Sequence, residues 1–426
     1  MIDLIKGILA ETPCDGYEIT DITKKGWEFY FIRHRLDQNR AKQVREISVR
    51  VYRKSEDGAY LGSAAGVVAP TATEEEVRKL ISDLADQASL VKNPVYTLNP
   101  KAVLPAREQK AVSLEEIAGN YIEALNSTAE TETEDLNSYE IFVTEVTKRY
   151  ISSEGTDETF VYPSSMAEVV VNARNDDSEI ELYRLYTSGT CDRETLLHDV
   201  NETLSYGKDK LLAGPTPALG KADVVFTTDA AKEIYNFFAY RLNAAAKVRR
   251  YSDWSIGGQV FADGSGDKVT LYAVADLPNS SKNFPLDDEG APVKDTCLMQ
   301  ENVPKNFWGT RQFRHYLELT EGANYTNFVV EGGKQAAQEL RAGDYLEIVE
   351  FSDFQVNPMT GAIAGEIRLG YLHRKGEVEI VSGGSISGSM NDCAGTMRFS
   401  RETRQYDNVV IPALTRLADV SITGAV

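Results

Sequence analysis

The sequence has few cysteines and few histidines, which restricts the disulfide and metal chemistry open to it. Four residues of each type occur among 426. Cys14, Cys191, Cys297 and Cys393 are far apart and form no C-x-x-C pair, so neither a disulfide framework nor a zinc ribbon is expected. No two histidines lie within five residues of each other, so the H-E-x-x-H motif is absent. A zinc site built from this chain alone is therefore not predicted.

The chain also lacks a long apolar run and an excess of basic residues. Its apolar stretches are short, so no transmembrane helix is predicted. The N-terminal stretch MIDLIKGILAETPCDGYE carries acids where a secretory signal has only apolar residues. The net charge of −20 repels phosphate backbones and anionic lipids. We therefore expect a cytoplasmic protein that binds neither nucleic acid nor membranes directly.

The common catalytic loops are missing as well. There is no G-x-S-x-G nucleophile elbow, since the serines of 384–388 stand at other positions, and there is no phosphate-binding glycine loop. Two candidate sites remain open. Cys393 is a possible thiolate nucleophile with a distant partner, and Asp287, Asp288 and Glu289 form a possible cation site. A buried structural thiol and a solvated acidic turn are the commoner arrangements.

One basic run, Lys247-Val248-Arg249-Arg250, follows a predicted helix. It has two interpretations, an anion-binding group and a favourable charge at the C-terminal end of the helix. The second is the commoner one, because cations are stabilised there by the helix dipole.

Periodicity and turn residues predict an α+β protein of two domains. Residues 1–212 are predicted to form an N-terminal α/β domain with antiparallel strands and amphipathic helices. Residues 213–220 (AGPTPALG) form a linker, because proline and glycine cluster there. Residues 221–426 form a mainly antiparallel β domain.

Several elements have specific signals. Capping boxes at Thr73 and Ser113 each begin a predicted helix, and a proline-containing loop is predicted between those helices at 93–112. Five short strands are predicted at 139–146, 149–152, 158–162, 167–173 and 179–187. In the second domain, helices are predicted from Asp229 to Ala246 and from Gly333 to Ala342.

The C-terminal half carries a series of motifs. In chain order they are FPLDDEG at 284–290, TNFVVEGG at 326–333, VNPMTG at 356–361, GSISGS at 384–389 and a closing strand LADVSITG at 417–424. A weaker segment, Ser153-Glu154-Gly155, precedes them. Their order and spacing resemble those of the TldD/PmbA family, a bacterial family whose members are also described as modulators of DNA gyrase or as peptide-maturation proteins.

This resemblance implies a function in proteolysis. TldD-type members of the family are zinc metallopeptidases that act on unfolded peptides, and their H-E-x-x-x-H motif lies on the first helix of the C-terminal domain. PmbA/TldE-type members lack the motif and form a complex with a TldD-type subunit. Here the equivalent positions are Asn236, Phe237 and Arg241, and the segment 227–246 contains no histidine. Phenylalanine and arginine neither bind zinc nor supply its general base.

By resemblance, the chain is expected to be a PmbA/TldE-like subunit that is not catalytic itself. Its partner would be a TldD-type metallopeptidase subunit, or a second copy in a homodimer, and the two would enclose a chamber for extended peptides. The chain itself needs no cofactor, because zinc is expected only in the TldD-type partner. The residues predicted to line the chamber are Asp288, Arg311, Asn327, Asn357 and Thr360. For the segment 357–361, a rigid turn is an equally good interpretation.

Two other functions remain open. The first is a self-sufficient hydrolase that uses Cys393 or the acidic cluster at 287–289. The second is a regulatory binding protein linked to gyrase or toxin–antitoxin biology, which acts through a protein partner because the chain is acidic.

Overall fold

The computed structural model describes residues 1–105 and 111–425, so residues 106–110 of the predicted loop at 93–112 lie outside it. The helices of the N-terminal part are α1 (Ile2–Glu11), α2 (Glu74–Leu90), α3 (Leu114–Asn126) and α4 (Arg193–Leu212). Its strands are β1 (Gly16–Ile32), β2 (Arg35–Lys54), β3 (Leu61–Val68), β4 (Glu134–Ser152), β5 (Asp157–Arg174) and β6 (Glu179–Ser188).

These six strands form one antiparallel sheet in the order β3-β2-β1-β4-β5-β6. The prediction of four short strands in the region of β4 and β5 is wrong, because each pair is one continuous strand. One of the two gaps between these predicted strands, 163–166, contains Pro163, which lies inside β5 opposite Glu145. A proline is tolerated there because β6 pairs with β5 only from Ser165 onward, so β5 is still an edge strand at Pro163.

The four helices cover one face of this sheet in two pairs. Helices α1 and α2 pack on the first three strands, and helices α3 and α4 pack on the last three. The predicted helix starts are confirmed. The Thr73 side chain and Glu76 form a reciprocal capping box, and Ser113 Oγ accepts a hydrogen bond from the Glu116 backbone N–H. These caps satisfy donors that a helix N-terminus otherwise leaves open.

The C-terminal part has shorter elements. Its helices are α5 (Lys232–Arg241), preceded by a 3-10 turn at Asp229–Ala231, α6 (Ala244–Val248), α7 (Arg311–Tyr316), α8 (Ala337–Leu340) and α9 (Met390–Cys393). Its strands are β7 (Gly214–Pro215), β8 (Gly220–Phe226), β9 (Leu271–Val274), β10 (Thr296–Gln300), β11 (Val303–Pro304), β12 (Asn327–Val330), β13 (Tyr345–Val356), β14 (Ala362–Arg374), β15 (Glu377–Ser382), β16 (Ser385–Ser389), β17 (Arg398–Phe399), β18 (Thr403–Tyr406), β19 (Val409–Pro412) and β20 (Thr415–Thr423).

Two sheets build this part. One has the order β11-β10-β9-β12-β19-β18, and the other has the order β13-β8-β20-β16-β14-β15-β7. Strand β13 also pairs with β14, so five strands of the second sheet close into a ring. The main hydrophobic core takes residues from both sheets and from α5. The predicted α+β class, with a mainly β C-terminal part, is confirmed.

Two helix predictions need correction. The predicted helix 229–246 is interrupted at Leu242, because the Asn243 side chain accepts a hydrogen bond from Ala245 N–H and starts α6 as a new helix. The predicted helix at 333–342 is reduced to α8 alone. Gly332 and Gly333 instead lie against the backbone of residues 399–401, so closely that a Cβ on either would be within 2.1 Å of a carbonyl oxygen.

Part of the predicted linker at 213–220 is hydrogen-bonded to the C-terminal sheet. Gly214–Pro215 pairs in parallel with β15, and Thr216 N–H donates to the Ser382 carbonyl. The domain boundaries at 212 and 221 stay a prediction. Within the described residues, no helix is long and apolar enough to cross a membrane.

Gly62 is predicted to be required for the packing of α2 on β3. A Cβ at this position would lie 2.0 Å from the Ala88 carbonyl oxygen and 2.4 Å from that of Val91. We expect Gly62→Ala to lower the free energy of unfolding by about 1–3 kcal/mol, because backbone atoms must shift. Chemical denaturation measures this change.

Gly7→Ala is the matched control, because Gly7 lies in α1 and a Cβ there would meet nothing within 4 Å. It should raise stability by up to about 1 kcal/mol through helix propensity. Equal stability of the two variants would contradict the packing argument.

Candidate functional site

The positions predicted to correspond to the metal motif lie on α5, where Phe237 and Arg241 share one face. Phe237 is 1% exposed and its ring makes edge contacts with Phe238 and Trp254. The Arg241 guanidinium lies over the Phe237 ring at 5.2 Å from its centroid. Asn236, in contrast, is exposed. The helix face therefore holds a cation stacked on an aromatic ring.

Backbone carbonyls hold the Arg241 side chain in place. Its Nη2 donates to the Met359 carbonyl at 2.9 Å and its Nη1 donates to the Tyr251 carbonyl at 3.2 Å. Nη1 also lies 3.4 Å from Asp253 Oδ1, but the Asp253 side chain is 88% exposed. Arg241 thus joins α5 to the turn containing Met359 and to the loop after α6.

The turn at 357–361 packs against this cation and ring. Asn357 Oδ1 accepts hydrogen bonds from the backbone N–H groups of Met359 and Thr360, so its side chain shapes the turn. Gly361 has φ 77°, and a Cβ there would lie 3.3 Å from the Phe237 ring. Asn391 Nδ2 donates to the Thr360 carbonyl at 2.9 Å. Asn357 and Thr360 are therefore close to α5, as a site at this place requires.

These residues do not fit a catalytic zinc ion. Zinc in proteins is bound by thiolate, imidazole or carboxylate groups, and a metallopeptidase also needs a general base beside it. Here the buried positions carry a phenyl ring and a guanidinium, and the guanidinium repels a dication. In the ranges 1–105 and 111–425, no three His, Cys, Asp or Glu residues come together as a possible metal site.

Cys393 in α9 is not arranged as a nucleophile. It is 4% exposed, and its Sγ lies 3.5 Å from the Ala418 carbonyl, to which the thiol can donate. Burial raises the pKa of the thiol, with smaller effects of the same sign from Asp392 and Asp419. The thiol form is favoured at neutral pH, whereas catalysis needs the thiolate.

The three acids of the FPLDDEG turn point to three different partners. Asp287 is buried and accepts hydrogen bonds from the backbone N–H groups of Glu289, Ala291 and Asn324. Burial raises the pKa of this carboxyl group. Asp288 is exposed and accepts a hydrogen bond from Lys148 Nζ at 2.6 Å. Their oxygens do not converge on one point, so the acidic cluster is a turn rather than a cation site.

The same turn contacts the N-terminal sheet. Glu289 accepts a hydrogen bond from Arg311 N–H at 2.6 Å, and Arg311 Nε donates to the Thr97 carbonyl at 2.8 Å. Gly290 has φ 77°, and a Cβ there would lie 2.3 Å from the Tyr150 ring in β4. Asp288 and Arg311 therefore lie at the contact between the N-terminal and C-terminal parts.

Asn327 stands apart from both groups. It is 1% exposed, accepts a hydrogen bond from Ser280 Oγ and donates to Asn283 Oδ1 and the Lys282 carbonyl. It fixes a loop in the interior. A substrate-binding role for Asp288, Arg311, Asn327, Asn357 and Thr360 stays a prediction.

A cleft between the two parts has no signal in the sequence, because it depends on how distant elements meet. This cleft has a volume of about 540 Å³ and is bordered by α4, β6 and β18. An ion pair between Arg404 of β18 and Asp199 of α4, with a distance of 2.7 Å, connects these two elements. The walls of the cleft carry several tyrosines, among them Tyr121, Tyr183, Tyr186, Tyr206 and Tyr406.

A buried carboxyl group, Glu18 of β1, lies beside the FPLDDEG turn. Arg50 Nη1 is 3.7 Å from Glu18 Oε2 and 3.6 Å from Glu289 Oε1, so one guanidinium bridges the N-terminal sheet and the turn. Burial raises the pKa of Glu18 to about 7, although Arg50 acts in the opposite direction. Ionised Glu18 is therefore destabilising in the folded protein.

Glu18 is predicted to make stability depend on pH. Because its pKa is raised by folding, the folded state binds the proton more tightly, and stability is lost as the pH rises from about 4.5 to above 7. The loss is on the order of 3 kcal/mol. We expect Glu18→Gln to unfold at a higher temperature than the native chain at pH 8 and to lose less stability between pH 5.5 and pH 8.

Glu115→Gln, at an exposed position in the first turn of α3, is the control and should behave like the native chain. If Glu18→Gln and the native chain lost equal stability between pH 5.5 and pH 8, Glu18 would not be the group responsible.

The fold is shared with three solved structures of low sequence identity. TldE from Thermococcus kodakarensis has a TM-score of 0.76 and 15% identity, with 100% of each chain covered. A candidate modulator of DNA gyrase from Thermotoga maritima has a TM-score of 0.76 and 16% identity, with coverage of 100% of this chain and 99% of that one. A candidate modulator of DNA gyrase from Bacteroides thetaiotaomicron has a TM-score of 0.77 and 14% identity, with coverage of 99% and 98%.

At this level of identity the three structures establish the fold alone. No curated protein matches the chain. Residues 219–424 match the sequence model of the PmbA/TldA metallopeptidase C-terminal domain, and the match begins one residue before β8. Residues 219–424 therefore form a domain of the PmbA/TldD family.

Proposed function

We propose that the chain is a PmbA/TldE-like, non-catalytic subunit of a cytoplasmic TldD/PmbA-type peptidase system that acts on extended peptides. The observation that carries the proposal is the state of α5. In a domain related to metallopeptidases, the metal-motif positions are filled by the stacked pair Phe237 and Arg241.

The packing of this pair supports a permanent loss of metal binding. Phe237 is part of an aromatic cluster with Phe238 and Trp254, so it cannot leave the helix face without opening the core. Arg241 is bound to two backbone carbonyls. A side-chain rotation therefore does not create a zinc site, and a zinc-dependent reaction requires another subunit.

An edge strand supports a role in holding peptide. Strand β6 ends the N-terminal sheet, and within the described residues it pairs only with β5. Its side chains Tyr183 and Leu185 are half exposed. An extended peptide adds readily to such an edge through backbone hydrogen bonds. The chain would thus supply one wall of a peptide chamber, and a TldD-type partner would supply the catalytic wall. In a homodimer, the chamber would have no catalytic wall.

The geometry gives less support to the other two functions. A hydrolase based on Cys393 needs a thiolate, and burial favours the thiol. One based on residues 287–289 needs converging carboxylates, and these diverge. A regulatory role at gyrase has support only in the names of two structural neighbours.

Metal analysis and peptidase assays on one sample test the proposal. We expect the purified chain to contain far less than one zinc per chain and to leave an unfolded peptide such as casein intact. Mixed with the TldD-type chain of the same organism, it should co-elute on gel filtration, and the mixture should cleave the peptide. Exchange of the glutamate in the partner's H-E-x-x-x-H for glutamine is the control and should abolish cleavage.

One equivalent of metal together with cleavage by the chain alone would overturn the proposal. So would peptide cleavage that persists in the mixture with the inactive partner. If the chain formed a stable homodimer and no complex with any TldD-type chain, the proposed partner would be wrong. The assignment as a non-catalytic protein would still hold.

A further inference from the structure

A second cavity opens beside α5, at the place that the metal motif would occupy. Its volume is about 650 Å³. Arg241 forms part of its wall, with Asn391 of α9 and the segments 253–255 and 258–261 around it. The cavity is thus bounded by a buried cation, amide side chains and aromatic rings, and nothing in the proposed function explains it.

The Arg241 guanidinium has more N–H donors than there are acceptors around it. A guanidinium carries five N–H groups, and three hydrogen bonds, to Tyr251, Asp253 and Met359, involve them. Among the described residues, the buried Nε has no acceptor. Arg241 as a residue is 8% exposed, so water does little to satisfy the missing bonds. The cation is therefore incompletely compensated, and an anion beside the part of Arg241 that lines the cavity would offset its charge.

Among the described residues, Asp253 is the one carboxylate that contacts Arg241, and this contact is loose. Asp253 is 88% exposed and its oxygen lies 3.4 Å from Nη1, which is long for a charge-assisted hydrogen bond. Lys247 does not line the cavity, but its Nζ is 3.3 Å from the hydroxyl of Ser255, which does. The cavity is therefore lined by one cation and one exposed acid, in a chain whose net charge is −20.

Two aromatic residues also line the cavity. Trp254 and Phe261 make a T-shaped contact at 6.2 Å between ring centroids, and both line the cavity. Rings beside a cationic contact suit a ligand whose anionic group is attached to an apolar side chain.

We propose that this cavity binds a carboxylate that neighbours an apolar side chain, with Arg241 as its cationic contact. The carboxylate is either the C-terminal carboxylate of a peptide or an acidic side chain within one. Arg241 would hold it through N–H groups, in a planar geometry that matches a carboxylate. The incoming group would take the place of Asp253. The proposal concerns this chain alone and does not require a peptidase partner.

Three short peptides distinguish the sources of the carboxylate. They are acetyl-Ala-Ala-Phe with a free C-terminus, the same peptide as its C-terminal amide, and acetyl-Ala-Glu-Phe amide. Calorimetric titration of the full chain should show binding of the first or the third at least about ten-fold tighter than of the second, as loss of a hydrogen-bonded charge predicts. The tighter of the two identifies the source.

Three variants locate the binding. Arg241→Gln should weaken carboxylate binding about ten-fold or more. Asp253→Asn should strengthen it by about three-fold or more, because it removes the internal competitor, and its exposed position makes the fold insensitive to it. Arg249→Gln is the matched control, since Arg249 also stacks on a ring, that of Phe313 at 5.0 Å, but does not line the cavity.

The result that overturns the proposal is equal affinity for all three peptides. Unchanged affinity in Asp253→Asn would also overturn it, even if Arg241→Gln failed to fold. A loss in Arg249→Gln as large as that in Arg241→Gln would place the binding elsewhere, and the proposal would again fail.

Discussion

The stacking of one guanidinium on one ring is the interaction on which the site depends. Arg241 and Phe237 are one helical turn apart on α5, and the bonds of Arg241 reach the turn at 357–361 and the loop at 251–253. The Phe237 ring is in the core and the Arg241 guanidinium is at its margin. The pair therefore links the packed core to the surface turn and loop that Arg241 contacts. A histidine and a glutamate at these positions would need open space and water; the stacked pair fills the space instead.

The motifs that carry the family resemblance act mainly through their turns. Asp287 and Asn357 each bind backbone N–H groups of the turn in which they occur. One turn then presents Gly290 to Tyr150 of the N-terminal sheet, and the other presents Gly361 to Phe237. Side-chain caps and glycines with positive φ thus fix where two segments meet. A motif of this kind indicates a family through geometry, and its residues need not touch a substrate.

The sequence predicted features that depend on neighbours along the chain. Capping residues located α2 and α3, and alternation located β4 and β5, although it divided each of them in two. Prediction from the sequence failed where the structure depends on a distant segment. Pro163 is an example, since a proline is tolerated within β5 because β6 does not extend to that position. The site divides in the same way. Phe237 and Arg241 follow from aligned motifs, whereas Trp254 and Asn391 join them only through loops that no local pattern predicts. The pKa of Glu18 is likewise raised mainly by burial, with a further contribution from Glu289 of a distant turn, and no local pattern reveals either.

Replacing a metal by a guanidinium separates two properties that a zinc site combines. Zinc attracts anionic groups and also lowers the pKa of bound water, which makes it a catalyst. A guanidinium keeps a positive charge and adds directed N–H groups, but it does not activate water. Arg241 places a positive charge in a cavity that Trp254 and Phe261 also line, and a phenyl ring occupies the position predicted for the general base. A site of this composition is suited to hold a carboxylate without cleaving the chain attached to it, which is the behaviour expected of a binding subunit beside a catalytic one.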